Sequence, residues 1–177
     1  NPGSPSIEGA LLALEAMEKA AMGCTENRFC AVVTAPVSKH WSQRAGAKHP
    51  GQTEFFAHHW TGKPTMAFVG ERLRLVLTTW HLPMNKVVET LTKENIQRAV
   101  RRADWLARAW GACSPRIGVC GYNPHAGENG VIGRLEVDFL DPLLDELRET
   151  YSGLSTCQPA DSLFMRSLRG EFDIIVA

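Results

Sequence analysis

The chain has 177 residues and a formal net charge of zero, and 44% of its residues are hydrophobic and 21% charged. These values are typical of a globular domain with a buried core, and they exclude a disordered or fibrous chain. The balanced charge argues against nucleic acid or a membrane surface as the main partner, because either one usually requires an excess of basic residues.

Five cysteines are spread along the chain without a C-x-x-C pair, which predicts free thiols rather than a disulfide framework or a zinc ribbon. No apolar run approaches the roughly 20 residues that span a bilayer, and no signal-peptide pattern opens the chain. We therefore expect a cytoplasmic protein. Because the chain begins with Asn1 and ends in an apolar run at 172–177, we also expect a fragment, incomplete at one or both ends.

The first elements in chain order are a helix and a strand. Residues 4–22 carry apolar side chains at helical spacing, with Pro5 at the first helical position and Gly23 as the stop. Residues 29–34 are a short run of strand-forming residues that ends where a loop begins.

The rest of the chain alternates strand and helix patterns. The predicted strands are 72–79, 116–121 and 172–177. The predicted helices run from Thr92, as N-cap, to Gly111, with an apolar stripe from Ile96 to Trp110, and through 135–147. This alternation predicts an α/β fold with a largely parallel sheet. In such sheets, ligands bind beyond the carboxyl ends of the strands.

Two histidines follow predicted strands. His81 comes after 72–79 and His125 after 116–121, so both imidazoles could reach one divalent ion at the same edge of the sheet. The alternative is that each is a hydrogen-bonded structural histidine. A catalytic metal site usually has three protein ligands, and no third ligand is evident in this sequence.

The loop around His125 has the composition of a binding loop. Its glycines permit tight turns, while Asn123, His125 and Glu128 supply polar groups within a short span. An ordinary strand-to-helix connection, with Glu128 near the start of the next helix, would contain the same residues.

Two further residues could contact an anionic substrate. Lys39 follows the first predicted strand, and Thr53 precedes an apolar segment. An ammonium and a hydroxyl group could bind a phosphate or carboxylate. Equally, Lys39 could be a solvated loop lysine and Thr53 a helix cap.

Several common site motifs are absent from the sequence. It contains no G-x-G-x-x-G and no P-loop, and it also lacks G-x-S-x-G and H-E-x-x-H. Reasoning from the residues alone therefore ends at an α/β domain with a candidate metal crevice.

Five segments, in order and spacing, resemble the signatures of the 4-hydroxythreonine-4-phosphate dehydrogenase family of pyridoxal phosphate biosynthesis. They are Thr34-Ala-Pro-Val-Ser-Lys39, Gly51-Gln-Thr-Glu-Phe-Phe56, His81-Leu-Pro83, Asn123-Pro-His-Ala-Gly-Glu128 and Pro159-Ala-Asp-Ser-Leu-Phe164. The resemblance covers nearly the whole chain, and the Asn123–Glu128 segment is its most specific part.

The resemblance implies a fold like that of the isocitrate and isopropylmalate dehydrogenases, of which residues 1–177 would be a fragment of the two α/β domains. It also implies a homodimer with a shared active site, NAD or NADP as cofactor, and a zinc, magnesium or cobalt ion. The metal ligands would be His81 and His125, Thr53 would contact the phosphorylated substrate, and Lys39 is a candidate catalytic proton acceptor. No residue is assigned to the nucleotide.

By the same resemblance, the expected reaction of the full-length enzyme is oxidation of 4-phosphohydroxy-L-threonine to 2-amino-3-oxo-4-phosphooxybutanoate, followed by decarboxylation. The family's third metal histidine lies in a His-Asp-Gln-Gly motif just after the strand that ends here at Ala177, and that motif is not in this sequence. The chain by itself is therefore expected to be inactive.

The sequence departs from the family pattern at Gln52, where members commonly have histidine. A glutamine amide forms hydrogen bonds but does not become cationic near neutral pH. The alternatives are a related dehydrogenase of another hydroxy acid or a dihydrodiol, a catalytically inactive α/β fragment, and a metal-dependent hydrolase that acts without NAD.

Overall fold

The computed structural model describes residues 3–177, which form two compact units that divide between Pro64 and Thr65. Within this range no helix has both the length and the apolarity needed to cross a bilayer. All five cysteines are free thiols, as the sequence predicts.

The described part of the first unit, residues 3–64, contains three helices: α1 (Ile7–Thr25), α2 (Lys39–Arg44) and α3 (Gln52–His59). Its core is formed where α1 and α3 pack together, through Met17, Ala21, Phe55 and Phe56. The Trp60 indole donates a hydrogen bond to the Ala21 carbonyl oxygen at 3.1 Å, which fastens the end of α3 to α1.

The ends of α1 differ from the prediction. The Ser6 hydroxyl accepts a hydrogen bond from Gly9 N at 3.2 Å, so Ser6 is the N-cap and Pro5 lies outside the helix. Gly23 does not stop the helix, which continues to Thr25. A side-chain carbon at Gly23 would lie 2.3 Å from the Phe29 ring, so glycine is needed there to let that ring pack against α1.

The predicted strand at 29–34 is wrong. Residues 31–38 belong to no helix or strand, and none of the described strands pairs with them. Val32 and Val37 pack on the core of the first unit, whereas the Val33 side chain is 99% exposed. The run has strand-forming residues, but a strand needs a backbone partner, which local sequence does not supply.

The second unit is built on one five-stranded sheet, in the order β1-β2-β5-β3-β4. The strands are β1 (Ala67–Val69), β2 (Arg74–Val76), β3 (Ile117–Cys120), β4 (Leu154–Gln158) and β5 (Ile174–Val176). The strands β2, β5, β3 and β4 run parallel, and only the edge strand β1 is antiparallel. The prediction of an α/β fold with a largely parallel sheet is therefore confirmed.

The predicted strands at 72–79, 116–121 and 172–177 correspond to β2, β3 and β5, each shorter than its sequence pattern, while β1 and β4 were not predicted. All three residues of β5 are buried, because β5 lies between β2 and β3.

Four helices accompany the sheet: α4 (Met84–Thr90), α5 (Lys93–Ala109), α6 (Asp141–Arg148) and α7 (Ala160–Leu168). The predicted cap of α5 is confirmed, since the Thr92 hydroxyl accepts a hydrogen bond from Asn95 N at 3.3 Å. The apolar stripe of α5 packs on the sheet, although its predicted last member, Trp110, is 50% exposed. One π-helical turn, Glu136–Leu140, leads into α6.

Candidate functional site

The two candidate metal ligands lie on loops at the same edge of the sheet. His81 follows β2, which ends at Val76, and His125 follows β3, which ends at Cys120. Both histidines are exposed. Because β2 and β3 are parallel to β5 and lie on either side of it, their loops flank the carboxyl end of β5.

Only one strand separates the two loops. Neighbouring strands are about 4.8 Å apart, so β2 and β3 are roughly 10 Å apart. The end of β5 is fixed to β2 by two hydrogen bonds, from Ala177 N to Val76 O at 2.9 Å and from Thr78 N to Ala177 O at 2.6 Å. Topology thus places the loops of His81 and His125 on either side of the end of β5.

Both histidines have left-handed backbone conformations, with φ of 54° at His81 and 53° at His125. His125 begins a left-handed turn that includes Ala126, Gly127, Glu128 and Asn129, with φ between 45° and 75°. Each non-glycine residue in this region costs roughly 1–2 kcal/mol relative to a right-handed one. Such a turn persists only where the surrounding structure holds it, and it is frequent at functional sites.

The contacts of Asn123 differ from the prediction that its side chain is available to a ligand. Asn123 N donates a hydrogen bond to Glu136 Oε1 at 2.7 Å, and Asn123 Nδ2 donates to Glu136 Oε2 at 2.9 Å. The amide of Asn123 therefore holds the loop in place. Sequence reasoning missed Glu136, which is fully buried.

Three glycines surround the Asn123–Glu136 pair. A side-chain carbon at Gly133 would lie 2.4 Å from Asn123 Nδ2, one at Gly127 would lie 2.8 Å from Glu136 Oε2, and one at Gly121 would lie 3.3 Å from Glu136 Oε1. Gly121, Gly127 and Gly133 recur at a regular interval in the sequence. No local signal pointed to the Asn123–Glu136 pair, which we call the clamp, because folding brings Glu136 to Asn123.

The Glu136 carboxylate is stabilised in its charged form. Burial raises the pKa of Glu136, but hydrogen bonds from the Asn123 side chain and from backbone N–H groups outweigh it, so the pKa is lowered overall. A buried carboxylate with these partners is an anion at neutral pH and an acceptor for the loop.

The donor chemistry fits a divalent transition metal only in part. Two imidazoles are suitable ligands for zinc or cobalt, but a catalytic site usually has three protein ligands. Among residues 3–177, no group of three or more His, Cys, Asp or Glu side chains is placed to hold an ion. The described residues therefore supply at most part of a ligand set.

In the first unit, the structure brings Lys39 close to the start of the helix that carries Thr53. Lys39 is the exposed first residue of α2, and a side-chain carbon at Gly51 would lie 4.0 Å from Lys39 Cε. Gly51 is the N-cap of α3, so the alternative role of Thr53 as the cap is wrong. Gln52 Nε2 donates a hydrogen bond to the Ala35 carbonyl oxygen at 3.0 Å.

The histidines of α3 have structural contacts. His59 Nε2 lies 3.1 Å from Glu18 Oε2 on α1, and the His58 ring packs on His49 at 4.9 Å between centroids. Both histidines of α3 therefore pack against side chains of the first unit.

Comparison with known proteins decides the family. The family model described as pyridoxal phosphate biosynthetic protein PdxA matches residues 1–177. The chain belongs to the PdxA family. It is 41% identical over 177 residues to a 4-hydroxythreonine-4-phosphate dehydrogenase from Aromatoleum aromaticum, covering 98% of this chain and 53% of the relative.

Two solved structures share the fold of this chain. A 4-hydroxythreonine-4-phosphate dehydrogenase from Klebsiella pneumoniae matches with a TM-score of 0.89 and 32% identity, covering 100% of this chain and 54% of that one. A terephthalate 1,2-cis-dihydrodiol dehydrogenase from Burkholderia xenovorans matches with a TM-score of 0.73 and 29% identity, covering 100% and 56%. The chain thus spans about half the length of the relatives that it matches.

Proposed function

We propose that the full-length protein containing this chain oxidises 4-phosphohydroxy-L-threonine to 2-amino-3-oxo-4-phosphooxybutanoate, with NAD or NADP as the oxidant. The product then loses carbon dioxide on the way to pyridoxal 5'-phosphate. The observation that carries the proposal is the placement of His81 and His125 on two loops that flank the end of one central strand. Family membership supports the choice of substrate.

In this proposal, His81 and His125 hold a zinc, magnesium or cobalt ion through neutral imidazoles. A divalent ion supplies positive charge that favours the alkoxide form of a bound hydroxyl group. The nicotinamide cofactor supplies the hydride acceptor, and the protein contributes alignment and charge.

The third ligand is proposed to come from outside residues 1–177. In the family, the His-Asp-Gln-Gly motif follows the strand that corresponds to β5. The strand β5 lies between β2 and β3. A residue that directly follows β5 would therefore lie between the loops of His81 and His125. The sheet order thus supports a three-histidine set.

Two residues of the first unit also have proposed roles, of which only that of Thr53 follows from the resemblance. Lys39 Nζ is the proposed acceptor of the proton from the substrate hydroxyl, and the Thr53 hydroxyl is the proposed contact to the substrate. We further propose a fold of the isocitrate and isopropylmalate dehydrogenase type, with two domains, and a homodimer that shares its active site.

A second candidate is oxidation of a dihydrodiol. It is favoured by the match to the dihydrodiol dehydrogenase and by Gln52, which replaces the common histidine. The Gln52 amide is used to hold the Ala35 carbonyl, so it binds a neighbouring loop without adding charge. The higher TM-score to the Klebsiella enzyme favours the phosphorylated substrate.

The decisive test is NADH formation by the full-length protein with 4-phosphohydroxy-L-threonine and added Zn²⁺, Mg²⁺ or Co²⁺. A chelator and, separately, His125→Ala should each reduce turnover by at least about 100-fold, because each removes charge stabilisation at the reacting hydroxyl. His58→Ala, an exposed histidine of α3, is the matched control and should retain full activity. Full activity of His125→Ala would remove His125 from the ligand set, and turnover of a dihydrodiol alone would favour the second candidate.

A further inference from the structure

Glu136 contacts the loop of His125 through Asn123. Its two carboxylate oxygens accept hydrogen bonds from the backbone and the side chain of the same residue, Asn123, two positions before His125. Glu136 itself is fully buried at the start of the π-helical turn. A buried carboxylate is tolerated only where it is hydrogen-bonded, so its position is tightly fixed by these partners.

The carboxylate also touches the backbone on both sides of His125. Gly121 and Gly127 approach it so closely that a side-chain carbon at either position would lie within 3.3 Å of a Glu136 oxygen. The left-handed turn therefore packs against the Glu136 carboxylate, with Asn123 just before the turn and Gly127 near its middle.

The turn has backbone hydrogen bonds of its own, including those from Ala126 N to Asn123 O at 3.0 Å, from Val131 N to Glu128 O at 3.2 Å and from Ile132 N to Gly127 O at 3.1 Å. A run of left-handed residues needs external support, since each residue would otherwise relax to a right-handed conformation. The Glu136 carboxylate supplies such support through its two hydrogen bonds with Asn123.

We infer that Glu136 is a positioning residue that locks the left-handed turn in the conformation that presents the His125 imidazole to the divalent ion. The inference rests on the proposed function. Glu136 acts through Asn123 and the turn backbone and does not itself contact the ion.

The test uses Co²⁺ as a probe of the full-length protein freed of metal. Glu136→Gln keeps the shape of the side chain but turns an NH₂ group towards one of the two Asn123 donors. We expect a folded protein whose dissociation constant for Co²⁺ rises about 10- to 100-fold, the range typical of lost outer-shell partners of metal ligands. The visible absorption spectrum of bound Co²⁺ should also change, because it reports ligand geometry.

Two further variants sharpen the test. Asp138→Asn makes the same acid-to-amide change at an exposed position of the same π-helical turn and should leave Co²⁺ binding unchanged. Asn123→Ala removes the side-chain donor of the clamp. The double variant Asn123→Ala/Glu136→Gln should lose no more Co²⁺ affinity than the weaker-binding single variant, because both changes disrupt the same hydrogen-bonded pair.

The outcomes separate this inference from the proposed function. Wild-type Co²⁺ affinity and spectrum in Glu136→Gln would overturn the positioning role, and so would failure of both Glu136→Gln and Asn123→Ala to fold, which would make the clamp purely structural. If His125→Ala also binds Co²⁺ normally, the proposed metal site itself fails. If His125→Ala loses Co²⁺ and Glu136→Gln does not, only the positioning role fails.

Discussion

At the scale of single residues, the ion pair between Arg116 and Asp173 joins the amino ends of β3 and β5. The Asp173 carboxylate accepts hydrogen bonds from Arg116 N at 2.8 Å, Nε at 3.2 Å and Nη2 at 2.7 Å. The side-chain hydrogen bond from Arg116 lowers the pKa of Asp173 and outweighs the effect of burial. Because the folded-state pKa is lowered, the pair stabilises the fold above the unfolded pKa and loses this effect as pH falls through the folded pKa.

Asp173→Asn should therefore lower the free energy of unfolding by about 1 kcal/mol near neutral pH, since the arginine is half exposed and solvent screens the pair. The difference from wild type should shrink below about pH 4, where Asp is protonated in the unfolded chain. Urea unfolding at several pH values measures both effects. Asp138→Asn, whose pair with Arg134 is exposed on both sides, is the control and should change stability by less than about 0.5 kcal/mol. A pH-independent difference would show that charge is not the cause.

The sequence predicted some residues of the candidate site better than others. His81 and His125 could be placed at strand ends, because a strand followed by a polar loop is a local pattern. The role of Asn123 could not be predicted, since its partner Glu136 is brought to it by folding. The roles of Lys39 and Thr53 remain predictions, although the structure does place Lys39 on a helix and Thr53 behind its cap.

At the scale of elements, local patterns with their own hydrogen-bond signals were predicted well. The Thr92 cap and the apolar stripe of α5 are confirmed, because both depend on residues within a few positions of one another. The run at 29–34 was assigned as a strand on composition alone, and the missing partner made that assignment wrong. The three-residue strand β1 was missed because it is too short to show an alternation.

The unpaired segment makes a prediction for hydrogen exchange. In the 177-residue chain, the backbone amides of residues 31–34 should exchange orders of magnitude faster than those of β3 and β5, because they donate to no described backbone group. Mass spectrometry or NMR after transfer to heavy water would measure this. Slow exchange at 31–34 would show that the segment pairs with another backbone. The amide of Ile117, which donates to Gly153 O at 2.9 Å, is an internal reference.

At the scale of the whole molecule, the α/β class and the parallel sheet followed from alternating patterns, whereas the strand order did not. Periodicity shows that 172–177 is buried, but not that β5 enters between β2 and β3. That insertion is a property of the complete sheet, and it is what brings the loops of His81 and His125 to either side of one strand.

The chain alone should be inactive. Residues 3–177 contain no three-ligand metal cluster, so the 177-residue chain should form no NADH from 4-phosphohydroxy-L-threonine under conditions in which the full-length protein does. Parallel assays at equal concentration, each after confirming folded protein by circular dichroism, make the comparison. NADH formation by the 177-residue chain would show that two histidines suffice.

The position of β5 also affects how the sheet can assemble during translation. When β2 and β3 have left the ribosome, the strand that separates them has not yet been made, so β2 can pair with β1 but neither β2 nor β3 can pair with β5. The backbone edges of β2 and β3 that pair with β5 stay unpaired until β5 emerges. Nascent chains with unpaired strand edges are prone to aggregate. Productive expression of this protein should therefore depend on protection by chaperones during that interval.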